Sequence, residues 1–274
     1  MKKQMKALFV WQKSIAAMLC MALLSTFVLL IVSCSDNKFD TNAADETAIS
    51  PILRSSVEEE KLAWDFPIRY GTPEWSSLKT VEEQFNAYNI PYGILKQVST
   101  SELIKICMHY PEWGLMHAYN SRVAGFSILC DYFNGFRELL RRDDATLELM
   151  NEYKSLDPLA IEKDWTDLRK GEYAFKFTKI EMFLNIPSMI DKLDKEDILN
   201  LKEIVISQYN NKRSLLDIYS LWDFSPTVGV AINIIEKENA DIFKSMQAEI
   251  NYFRYYLMSD NLDFLDSIIE LLKR

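Results

Sequence analysis

Apolar residues recur along most of the chain at steps of three and four, the spacing that puts them on one face of an α-helix. Tyr173, Phe177, Ile180 and Leu184 form one such stripe, with Lys176 able to lay its stem along it. Ile198, Leu201, Val205 and Tyr209 form a second, and Phe243, Met246, Ile250, Phe253 and Leu257 a third. The last runs through Leu262, Leu265, Ile268, Ile269 and Leu272, in a helix that starts after Asp260. Start and stop signals agree with this period. Thr80-Val-Glu-Glu83 and Ser99-Thr-Ser-Glu102 match the S/T-x-x-E capping box. The first opens a helix ending near Asn89. The second opens one with Leu103, Ile106, Cys107 and Tyr110 on one face, stopped by Pro111. Pro226 after Ser225 reads as a first-turn proline behind its cap. Residues 64–75, with two prolines and a glycine, read as loop, and Asn134-Gly135 as a corner between helices.

The expectation is an all-α fold: a multi-helical array of roughly ten to twelve short antiparallel helices over 57–274. No fixed period of the roughly 34-residue tetratricopeptide kind is present. The tripeptides shared by 87–89 and 118–120, and by 64–66 and 222–224, are too short to make repeats.

The N-terminus follows a different pattern. Residues 1–13 carry Lys2, Lys3, Lys6 and Lys13 and no acid, and 14–32 are apolar apart from Ser14, Ser25 and Thr26. A cationic flank before an apolar run marks an export signal; the length of the run also suits an uncleaved anchor of about 20 residues. The run ends in Ile31-Val32-Ser33-Cys34, which resembles the lipobox of bacterial lipoproteins. That resemblance implies cleavage after Ser33 and fatty acylation, palmitate among the chains, of Cys34 as the new first residue. Cys20 follows the bulky Leu19 and does not fit the pattern. The expected organisation is a signal peptide at 1–33, the acylated cysteine and a flexible polar tether at 34–56, and the helical domain from 57.

The segment from about Ile94 to Lys154, with Tyr110-Pro111, Ala118-Tyr119-Asn120, Phe133-Asn134-Gly135-Phe136 and Arg142-Asp143-Asp144-Ala145, resembles helical lipoproteins of the Bacteroidales that have no assigned activity. It implies location and fold and supplies no catalytic residues. Surface-exported lipoproteins of that group carry acids just after the cysteine; here Asp36 fits, followed by Lys38. The expected location is the cell envelope, on the outer membrane, with both the periplasmic and the surface face open.

Removal of 1–33 takes four lysines and no acid, so 27 basic and all 40 acidic residues remain, a net charge of −13. Such a chain is a poor partner for nucleic acid or anionic headgroups, so the lipid must supply the membrane attachment. Glycine is scarce, 7 in 274, and the glycines are too widely spaced to build a phosphate-binding loop or a nucleophile elbow.

Candidate chemistry is sparse. Cys107 and Cys130 could close a loop of about 22 residues and add roughly 3 kcal/mol, or lie as two buried thiols on adjacent helices. His109 and His117 flank Glu112, but Pro111 and Gly114 break the helix that a metal pair would need, so no metal or cofactor is expected. Asp143 and Asp144 after Arg141 and Arg142 read as one helix closing and the next opening, and Glu58-Glu59-Glu60 as a solvated helix start. The aromatics of Asn251-Tyr-Phe-Arg-Tyr-Tyr256 cover more than one helical face. With no catalytic residues recognisable, the expected function is a lipid-anchored, non-catalytic module that binds a protein. The alternatives are an envelope enzyme, such as a glycan hydrolase with dispersed carboxylates, and a glycan-binding module.

Overall fold

The structure is a computed structural model, and it describes residues 62–239 and 241–274. The signal segment, Cys34, the tether and Glu58–Glu60 lie outside the described residues. Among the described residues there are α-helices and short 3-10 turns and no strand. The all-α reading therefore holds. The helices are α1 (Pro73–Ser77), α2 (Val81–Tyr88), α3 (Tyr92–Gln97), α4 (Thr100–Met108), α5 (Arg122–Tyr132), α6 (Asn134–Arg141) and α7 (Ala145–Ser155). There follow α8 (Asp167–Leu184), α9 (Pro187–Asp191), α10 (Lys195–Arg213), α11 (Leu221–Glu238), α12 (Gln247–Tyr256) and α13 (Leu262–Leu272). No helix among the described residues is long and apolar enough to cross a membrane.

Helix α11 is the axis of the fold. Every residue from Phe224 to Ile235 is buried, the pattern of a helix enclosed on all sides. It packs on α8, α9, α10 and α13. Two close approaches depend on Gly229 and Gly125. A Cβ on Gly229 would lie 2.0 Å from Asn185 Oδ1 and 2.5 Å from the Leu257 side chain. One on Gly125 would lie 2.1 Å from the Met116 carbonyl oxygen, where α5 crosses the 3-10 turn Trp113–Ala118.

The N-terminal half is built around aromatic rings. Phe66, Tyr88, Tyr110, Phe133 and Phe136 meet edge-on or stacked, with Tyr110 and Phe133 centroids 4.5 Å apart. Phe66 is fully buried there although its φ of +46° is left-handed. That backbone costs on the order of 1–2 kcal/mol, less than full burial of a phenylalanine returns. Asn134 forms the expected corner by gripping another loop: its side chain accepts from Ile90 N and donates to Ile90 O, at 2.9 and 2.8 Å.

Several local signals resolve differently from their sequence reading. Thr80 and Glu83 form the full capping box. Ser99 caps α4, but Glu102 turns away and accepts from Ala63 N at 2.9 Å. Pro226 does not open a helix. The cap is Ser220, paired with Asp223, and Pro226 falls inside α11. Asp144 occupies the N-cap position of α7 without capping it; its carboxylate accepts instead from Thr100 Oγ1 at 2.8 Å. Arg142 spans back to the carbonyls of Leu95 and Val98 at the end of α3. The third stripe is split: a 3-10 turn at Lys244–Met246 precedes α12, and Leu257 ends it at φ +50°.

Candidate functional site

The misplaced proline builds the most distinctive site. A proline within a helix has no N–H for the carbonyl four residues before it, here Trp222. The Arg122 guanidinium supplies the missing donor: Nη1 donates to Trp222 O at 2.6 Å. The same guanidinium lies under the Trp222 indole, 4.3 Å from the ring centroid, in cation–π geometry. Arg122 is only 5% exposed, whereas Trp222 is 51% exposed. No carboxylate pairs with Arg122 among the described residues, and its Nε is buried without a hydrogen-bond partner. Burial lowers its pKa to about 10, with Asp223 and Glu181 offsetting part of that at longer range.

Arg122, Ala174 and Thr178 are the buried lining of an open cleft of about 610 Å³. Phe175, Ile218 and Trp222 give it apolar walls. Asp167, Glu172 and Asp217 stand exposed at its edge. Asp223 also borders it, but its Oδ2 is committed to Ser220 N and Oγ at the start of α11. His117 faces the rings of Phe175 and Trp222, at 5.8 and 6.2 Å. Burial, with the nearby Arg122 charge, lowers its pKa below the usual 6.5. On the other side of Trp222 lies an apolar groove of about 590 Å³, bordered by Leu216, Leu221, Phe224, Met258 and Leu262.

A charged cluster is buried one turn along α8 from Thr178. Glu181 Oε1 accepts from Lys212 Nζ at 2.7 Å, from Tyr153 OH at 2.5 Å and from Thr227 Oγ1 at 2.6 Å. Both charged side chains are 0% exposed. Lys212 also donates to Asp223 O at 3.2 Å. The cluster therefore joins α7, α8, α10 and the first turn of α11 beneath the cleft.

The residues singled out in the sequence are scattered. Cys107 and Cys130 are free thiols, the first buried and the second half-buried, and burial raises both pKa values, that of Cys130 to about 12. His109 closes α4, with Nδ1 2.8 Å from Lys105 O, while His117 lines the cleft. No metal-binding cluster of His, Cys, Asp and Glu occurs among the described residues. On α12, Phe253 is buried whereas Tyr252 and Tyr255 face outward. Arg122, Trp222, Glu181 and Lys212 were missed. Glu181 and Lys212 did leave a signal, since each occupies a position of its helix's apolar stripe.

No protein-family model matches the chain, and searches of curated proteins and of solved structures find no match to it.

Proposed function

We propose that the chain is a lipid-anchored binding protein of the bacterial cell envelope. Cys34 carries the acyl chains, residues 35–56 form the tether, and the helical domain holds a partner protein at Trp222. One observation carries the binding reading: a half-exposed tryptophan stacked on a buried arginine, with a polar-edged cleft on one side and an apolar groove on the other. Tryptophan is among the side chains that dominate protein interfaces as anchors, and the buried Arg122 guanidinium beneath it holds this one in place. The net charge of −13 expected after processing favours a basic partner and speeds the encounter.

The test is affinity purification of the full-length chain from detergent-solubilised envelopes, beside its Trp222→Ala variant. The expected outcome is a stoichiometric basic protein retained by the wild type and lost from the variant. An intact mass that begins at an acylated Cys34 is expected in the same preparation. Equal retention by both proteins would remove Trp222 from the interface, and a chain that begins at Met1 without acyl mass would remove the anchor.

A further inference from the structure

The Arg122 environment specifies a ligand more narrowly than the fold does. A buried guanidinium ordinarily meets a carboxylate, because an unpaired charge in a dehydrated setting is costly. Here Nη1 is used by the Trp222 carbonyl, Nε has no partner, and no acid of the described chain pairs with the group. The acids that border the cleft make no ion pair with it: Asp167, Glu172 and Asp217 remain exposed, and Asp223, which caps α11, acts on the guanidinium only at longer range, as does the buried Glu181. The walls beside the guanidinium are Trp222, Phe175 and Ile218, which suit an apolar or aromatic body.

We propose that the Trp222 cleft binds a carboxylate carried on an apolar body, with the Arg122 guanidinium as its counter-ion. The inference rests on the binding reading above and adds the chemistry of what is bound. Two sources share that chemistry: a free aryl or alkyl carboxylate, and the C-terminus of a protein chain ending in an apolar residue. Trp222 lies over the guanidinium from the first turn of α11, so entry of the carboxylate requires the indole to turn aside. The acidic edge then faces whatever extends from the apolar body, and favours basic groups there.

Calorimetric titration of the full-length protein in detergent tests this with two matched pairs. One is 3-phenylpropionate against 3-phenylpropionamide. The other is a lysine-containing tetrapeptide ending in phenylalanine, with a free or an amidated C-terminus. An acid is expected to bind at least about tenfold more tightly than its amide, the difference that a charge-assisted contact makes. Preference for the acid in both pairs identifies a general carboxylate site. Preference in the peptide pair alone identifies a chain terminus, and in the small pair alone a free carboxylate. Binding should also shift the His117 ring resonances, and Arg122→Gln should abolish the acid preference. Because the acid–amide comparison is made on the wild type, it stands even if that variant fails to fold. Amides that bind as well as acids, or no binding in either pair, would overturn the proposal. Partner retention through Trp222 is measured separately, so that result would leave the protein-binding reading intact.

Discussion

Glu181 and Lys212 show how a polar residue can be legible by position and misleading by type. Glu181 continues the stripe of Phe177, Ile180 and Leu184, and Lys212 continues that of Leu201, Val205 and Tyr209. Period alone places both side chains inward, while residue type argues for solvent. The structure resolves the conflict by pairing them and adding the hydroxyls of Tyr153 and Thr227. Arg122 left no comparable signal. It follows the cap Ser121 directly, at a first-turn position that reads as exposed, and the carbonyl it serves is 100 residues away. Breaking the buried pair on one side strands a charge. Lys212→Met should therefore destabilise the protein by about 3–5 kcal/mol, seen as a lower urea midpoint. Glu181→Leu combined with Lys212→Met should recover much of that loss. A double variant as unstable as the single one would show that the cluster acts through packing and not through charge.

At the scale of helices, caps and stripes were legible wherever the partners are close in sequence. Thr80 with Glu83 behaves as the local rule requires. Glu102 and Asp144 do not, because Ala63 and Thr100 compete for their carboxylates from distant positions. Pro226 is the clearest case. Local rules put a proline in the first turn, where its missing N–H costs nothing. Helix α11 instead starts at Leu221, because Ser220 and Asp223 supply a stronger start and Arg122 removes the cost of the proline. This coupling is measurable. Arg122→Met in the wild type leaves the Trp222 carbonyl without a donor, whereas in a Pro226→Ala background the restored N–H can serve it. A double-mutant cycle by chemical denaturation should show a coupling of about 1 kcal/mol between sites 122 and 226. Additive effects would mean that the guanidinium holds α11 only by stacking on Trp222.

For the whole molecule, the 3.6-residue period was enough to reveal the all-α fold of the described residues, because helices are specified by near neighbours. Which rings fill the core depends on contacts between distant segments, and those contacts give the fold a distinct alkaline response. Tyr88, Tyr110, Tyr153, Tyr209 and Tyr219 are buried, and burial is the largest cause raising each phenol pKa above the ordinary 10.0. Neighbouring carboxylates add to the shift: Glu112 at Tyr88, Glu181 at Tyr153 and Asp266 at Tyr209. Below pH 10 these phenols are protonated in folded and unfolded chains alike, and their contribution to stability is complete. Above pH 10 the unfolded chain releases protons that the folded one retains. Stability must then fall as pH rises, by up to about 1.4 kcal/mol per pH unit for each such phenol. Lys179 acts in the opposite direction at lower pH. Burial, aided by Lys176, lowers its pKa to about 8, so its contribution to stability grows from there toward 10.5 and the steep decline is delayed until the phenols titrate. The expected result is cooperative loss of helix between pH 10 and 12, with a late, steep rise in tyrosinate absorbance at the same pH. Tyr153→Phe removes the phenol nearest Glu181 and should make the decline shallower. Smooth ionisation of all thirteen tyrosines near pH 10 with the helices intact would mean that the aromatic core admits water, against the packing described here.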